Sequence, residues 1–159
     1  MNDKILRQQL IQLLDGGQAH ADWKQALKSL PAKLRGVRPD GSPHSVWDLL
    51  EHMRVAQWDI LEFSRNAKHV SPDWPSGYWP AGGKAPREKE WKSCVRKFTV
   101  EAAAMQRLVT NPKTDLTAKI PHGSGQTILR EALLLADHNA YHIGQIILVR
   151  KLLNAWPKS

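Results

Sequence analysis

A single cysteine, Cys94, occurs in the 159-residue chain. One thiol excludes an intramolecular disulfide, a multi-cysteine zinc knuckle and an iron–sulfur cluster, and it fits a reducing compartment. Long apolar runs are missing as well. The longest, Ala132 to Ala136, is five residues, against the ~20 that cross a bilayer as a helix, so no membrane segment is expected. The opening stretch MNDKILRQQLIQLLDGG lacks the basic-then-apolar layout of a secretory signal, which makes the cytoplasm the expected location. Acidic residues are few: 15 against 23 basic ones, a formal charge of +8. Such a balance raises the question of nucleic acid. The basic residues are scattered, however, with no run longer than a pair such as Arg150-Lys151, and no recognition motif is present. No specific nucleic-acid partner is expected, and the charge is read as a solvated basic surface or an attraction for small anionic ligands.

What is there is ordinary for a folded domain: 42% hydrophobic and 24% charged residues, enough to exclude disorder as the resting state. A chain of this length forms one domain, residues 1–159, and buries about 70% of its unfolded surface without a structural metal or disulfide. Any metal is therefore expected to be functional.

Apolar residues recur at helical spacing in three long stretches. In Ser45–Asn66 they are Val46, Leu49, Leu50, Met53, Ile60 and Leu61, with Gln57 on the same stripe, and Ser45 followed by Asp48 is a capping signature. From Arg87 to Thr110 the stripe is Trp91, Val95, Phe98, Ala102, Met105 and Val109, stopped by Asn111-Pro112. From Thr127 to Ala155 it runs through Leu129, Ala132, Leu133, Ala136, Ala140, Ile143, Ile147 and Arg150. The N-terminal pieces Ile5–Leu14 and Ala19–Leu30, split by Gly16-Gly17 and ended by Pro31, predict one broken helix or two. No convincing strand appears, although Thr117–Pro121 suits a short extended piece. Between the second and third main helices lies AKHVSPDWPSGYWPAGGKAP, residues 67–86. So long a connection lets the chain run the length of a bundle and start the next helix parallel to the last. The expectation is an all-α four-helix bundle with one long crossover.

The seven histidines carry the chemistry the lone cysteine cannot. His138 and His142 are four residues apart, so both rings leave one face of the last helix a turn apart. Two imidazoles so placed can share one ion at roughly 2.0–2.1 Å each. The position after the first, where a zincin carries Glu, is Asn139, which excludes that protease chemistry. His52 lies at the rim of the apolar stripe of the second main helix, so the two helices can turn their histidines toward a shared cleft. Three such nitrogens leave coordination positions open, as catalytic sites require. The residues alone equally allow each ring to pack at a helix seam with one hydrogen bond.

The pairing of EHMRVAQWDIL (51–61) with DHNAYHIGQIILVRKLL (137–153) resembles the DinB-like (DinB/YfiT) superfamily of metalloenzymes, over most of the chain. The resemblance implies a four-helix bundle with a crossover after the second helix, and a divalent metal held by His52, His138 and His142. Imidazole suits zinc or nickel first, with iron or manganese also accommodated. Related branches are thiol-dependent S-transferases and isomerases, so a thiol cofactor is compatible, although no thiol-binding signature is present. The expected activity is metal-dependent hydrolysis or thiol transfer on a small, anionic substrate. The alternative is a non-catalytic metal- or ligand-binding stress-response module. A homodimer is expected from family habit and from the prevalence of twofold oligomers.

His20, in GGQAHADW, is the one further catalytic candidate, as proton shuttle or fourth ligand. His44, His69 and His122 fall in Pro- or Gly-rich loops and are read as ordinary solvated histidines. Glu131 shares the wheel edge of His138 but lies two turns away, ~10 Å along the axis. Asp48 is assigned to capping, with Asp48 or Glu51 also placed to accept from His52. Trp74, Tyr78 and Trp79 anchor the crossover onto the bundle or form a lid. Cys94 is assigned to core packing.

Overall fold

The computed structural model describes residues 3–80 and 84–157. Residues 81–83 of the crossover and the chain ends included in the 1–159 domain assignment lie outside the described residues. Among the described residues five α-helices follow in order: α1 (Asp3–Asp15), α2 (Trp23–Leu27), α3 (Val46–Arg65), α4 (Glu88–Thr110) and α5 (Ile128–Leu152). The four long ones, α1, α3, α4 and α5, make the expected all-α bundle. Among the described residues there is no strand; the Thr117–Pro121 piece amounts to one isolated antiparallel bridge, Lys119 with Thr127.

The helix starts follow local chemistry. Ser45 Oγ accepts from the Asp48 N–H at 3.1 Å while the Asp48 carboxylate accepts from the Ser45 N–H at 2.8 Å, a reciprocal box that fixes the start of α3. Thr127 caps α5 through the Arg130 N–H at 3.1 Å. The N-terminal segment resolves into two helices because Gly16 and Gly17 adopt φ of 71° and 75°, values open to glycine. A box between Asp22 and Gln25 delays the start of α2 to Trp23, and it stops at Leu27, short of the expected Leu30. Helix α5 likewise ends at Leu152 instead of Ala155. Asn154 turns left-handed at φ 53°, and the buried Arg150 guanidinium donates twice to the Ala155 carbonyl, at 3.0 and 2.6 Å, closing the helix end.

Helix α3 packs between α4 and α5, and α1 closes the opposite side against the same two helices. Contacts rise in step along α3 and α4: Cys94 Sγ approaches the Leu50 carbonyl at 4.0 Å, and Gln57 Nε2 donates to the Phe98 carbonyl at 2.7 Å. The two are parallel, which is the geometry the long crossover permits. Along α3 the contacts with α5 and the loop leading into it run in opposite order, from His122 of that loop on the Phe63 carbonyl, through Asn139 on Gln57, to Leu49 and Val149 on one cavity wall. The core falls into two clusters. One, around Leu10, Leu61, Met105, Val109 and Leu135, fills the end beside the 111–127 loop. The other, around Leu49, Met53, Phe98, Ile143 and Ile146, fills the end covered by α2 and Trp79.

Candidate metal centre

Helix α3 presents His52, 3% exposed, to the face of α5 that carries His138 and His142. One ring nitrogen from each of the three lies within 4.8 Å of the other two. His138 Nε2 stands 3.1 Å from His52 Nε2. The three ring centroids are 4.5 to 5.0 Å apart. Residues 86 and more positions apart in sequence are thus brought to a single point by antiparallel packing of α3 and α5.

Hydrogen bonds decide which nitrogens face that point. His52 Nδ1–H donates to the Tyr78 carbonyl at 3.0 Å, and His142 Nδ1–H donates to Gln145 Oε1 at 2.7 Å. Each proton held on Nδ1 leaves Nε2 as a bare lone pair, the arrangement a metal-binding imidazole needs. His138 differs: its Nδ1 is buried and has no partner. The acceptor for His52 is therefore a backbone carbonyl of the crossover, not Asp48 or Glu51. Asp48 serves the α3 cap and pairs with Arg38 at 2.9 Å, and Glu51 pairs with Arg54 at 2.7 Å.

The crossover is both anchor and cover. The Trp79 indole stacks on His52 at 3.9 Å and 5° and on His44 at 4.1 Å and 12°, so it is sandwiched between two imidazoles. Tyr78 Oη donates to Asp59 at 2.7 Å, and the other Asp59 oxygen takes His69 Nε2 at 2.7 Å. Two bonds to one α3 carboxylate thus fix the segment whose carbonyl orients His52. Trp74, by contrast, is 75% exposed and meets Tyr78 edge-on at 5.3 Å, away from the three histidines.

Electrostatics favour neutral rings. Burial lowers the pKa of His52 and His142, and it drives His138 down to about 4, with the neighbouring imidazoles adding to the fall. Three uncharged rings, two of them with the Nδ1 proton committed to a fixed acceptor, fit a divalent ion of borderline softness.

The remaining candidates lie apart from the cluster. His20 is exposed, with Nδ1 donating to the Ala21 carbonyl at 3.0 Å. It lines a cavity of about 110 Å³ between the 12–20 segment, Trp23 and α5, and the structure does not bring it to the three histidines. Glu131 is buried beside Arg130 at 2.7 Å. Cys94 is buried and its thiol is pushed up by desolvation, consistent with packing. The sequence reading missed Gln145, His44 and the Tyr78 carbonyl. Gln145 was findable, since it stands three residues after His142 on one helix; a backbone carbonyl leaves no signal in side-chain spacing.

The sequence profile of the DinB superfamily matches residues 17–146, which include all three histidines. The chain belongs to the DinB superfamily. No curated protein and no solved structure gives a significant match. This DinB protein therefore has a family and a buried three-histidine cluster able to hold a metal ion, and among its described residues no helix is long and apolar enough to cross a membrane.

Proposed function

We propose that this DinB protein is a metal-dependent enzyme in which His52, His138 and His142 hold one divalent ion, zinc or nickel before iron or manganese. The observation that carries the reading is the convergence of three buried rings, two of them with Nδ1–H committed to fixed acceptors. Bound there, the ion supplies Lewis acidity that lowers the pKa of a neighbouring water or thiol. The chain's own part is orientation and exclusion. The Tyr78 carbonyl and Gln145 set two rings, Trp79 shields the His52 face from water, and burial keeps the imidazoles unprotonated at neutral pH. The reaction is hydrolysis or thiol transfer on a small substrate. The formal charge of +8 supports an anionic one, and the thiol branch rests on family analogy.

Elemental analysis of the purified protein tests the site. A near-stoichiometric ion present in the wild type and lost in the His138→Ala/His142→Ala variant supports it; equal content in both removes it. Turnover is tested by incubating zinc- and nickel-loaded protein with esters, amides and thiol conjugates. Activity abolished in the same variant supports an enzyme, whereas metal retention with no turnover across the panel points to a binding module.

A further inference from the structure

Two of the three histidines have their Nδ1 protons placed; the third does not. His138 Nδ1 is buried without a partner, and so is the Oδ1 of Asn139, the next residue in the chain. One orphan is a ring nitrogen able to carry a proton and the other is an acceptor with nothing to accept. A buried polar atom left unpaired costs free energy, so two complementary orphans on adjacent residues require a reason.

The Asn139 side chain is not free to turn elsewhere. Its Nδ2 donates to Gln57 Oε1 at 3.3 Å, and Gln57, 1% exposed in the α3 seam, donates from Nε2 to the Phe98 carbonyl of α4 at 2.7 Å. An amide assigned by its network in this way has its nitrogen spoken for, so its oxygen is what remains for His138. The current bond also explains why the orphans coexist. His52 carries its proton on Nδ1, so its Nε2 accepts, and His138 must donate from Nε2 across the 3.1 Å contact. Coordination through all three Nε2 atoms moves the His138 proton to Nδ1, where an acceptor is then needed.

We propose that Asn139 is the positioning residue of His138: its Oδ1 accepts the His138 Nδ1 proton in the metal-loaded protein, and Gln57 holds the carboxamide in that orientation. This rests on the three-histidine metal reading. It assigns a role to the residue that stands where a zincin has its glutamate, and it accounts for a glutamine on an otherwise apolar helix stripe. The three rings are then oriented by three different parts of the fold: the crossover backbone, a side chain one turn along α5, and an amide relay reaching from α4 through α3.

The test measures zinc affinity by chelator competition for the wild type and for Asn139→Ala, Asn139→Asp and Gln57→Leu, with the metal-free melting temperature of each as the folding control. Loss of an outer hydrogen-bond partner typically costs about 10- to 100-fold in metal affinity. Asn139→Ala is expected to fall in that range with a melting temperature lowered no more than that of Gln57→Leu, which should lose less affinity, and Asn139→Asp, which keeps an acceptor, to bind at least as tightly as wild type. Imidazole ¹⁵N spectra give a second readout: on zinc addition the His138 proton moves from Nε2 to Nδ1 in the wild type. Equal zinc affinity in wild type and Asn139→Ala, or equal losses in the Ala and Asp variants, overturns the assignment while leaving the metal site standing. A wild type that takes up no zinc removes both.

Discussion

The two ends of the α3–α5 seam are built from the same pair of helices and buried to the same degree, yet they differ in what they bury. Toward the 111–127 loop the seam is mostly apolar: Ile60 and Leu61 meet Ala132 and Leu135, backed by Leu10, Met105 and Val109, and the two polar residues buried there are paired, Glu131 with Arg130 and Ser64 with the Ile60 carbonyl. Toward the crossover the same helices bury His52, Gln57 and His142. Burying an imidazole or amide contributes less than burying a leucine, and it costs free energy wherever a polar atom goes unpaired. The far end can be understood from stability alone. The near end cannot, and that difference marks the residues retained for chemistry.

The comparison breaks most easily at the far end. Leu61, 1% exposed, sits among well-packed neighbours, so Leu61→Ala is expected to destabilise the protein by about 2–5 kcal/mol through lost burial plus a cavity. Denaturant unfolding measures this, and zinc affinity in the folded variant should match wild type. A far-end cavity that also impaired zinc binding would show that the two ends are not separable. Next in size is Asp59→Ala, which strands the Tyr78 hydroxyl and His69 together. Both groups are half-buried, so each loses toward the lower end of the about 1–3 kcal/mol that an unpaired buried group costs. The crossover should then be cleaved faster by protease and zinc should bind more weakly, because the Tyr78 carbonyl that orients His52 is no longer fixed.

These contrasts were unequally legible in the sequence. Apolar spacing located α3, α4 and α5, since each has a broad stripe and a clear stop or cap. The length of the 67–86 segment carried the parallel relation of α3 and α4. Helix ends read less well, because Ser29 and Asn154 turn left-handed without being glycine, and Arg150 closes α5 by a contact to a residue beyond the helix. At the site, His138 and His142 could be paired by their spacing, but the meeting with His52 depends on packing between distant segments: its rim position left that meeting and separate seam packing equally open, and the family resemblance favoured the first. His44, read as an ordinary loop histidine, is instead one wall of the Trp79 sandwich. Stacking across a crossover has no periodicity to betray it.

A smaller effect sharpens the contrast from the near end. His138 has a buried, unpaired Nδ1 while its Nε2 donates to His52, so an apolar residue of similar volume removes one penalty and adds another that offsets it. In metal-free protein His138→Leu should therefore change stability by no more than ~1 kcal/mol in either direction, unlike the far-end truncation. Zinc uptake, read by elemental analysis, should be lost. A loss of stability as large as that of Leu61→Ala would mean that His138 is structural.

The smallest expected effect concerns pH, where the two sides of α3 oppose each other. Toward α5, His138 is held down at about 4 by burial. Between an unfolded value near 6.5 and 4, the unfolded chain binds more protons than the folded one, so metal-free stability falls as pH drops through that range. Toward α4, burial raises the Glu101 carboxyl to about 7 against the pull of Arg54. There the folded state binds more protons, so stability falls as pH rises from the ordinary carboxylate range through about 7. The slopes have opposite signs and overlap between about pH 4.5 and 6.5; His52 and His142, lowered by the same burial, add to the histidine side, so wild-type stability should still fall as pH drops there, blunted by Glu101. Glu101→Gln removes the opposing slope. Melting temperatures of the metal-free variant should climb more steeply than wild type with pH across the overlap, and should exceed wild type above pH 7, where the wild-type carboxylate is charged. Parallel curves for the two proteins would show that Glu101 ionises freely and that the α3–α4 seam takes no part in the balance.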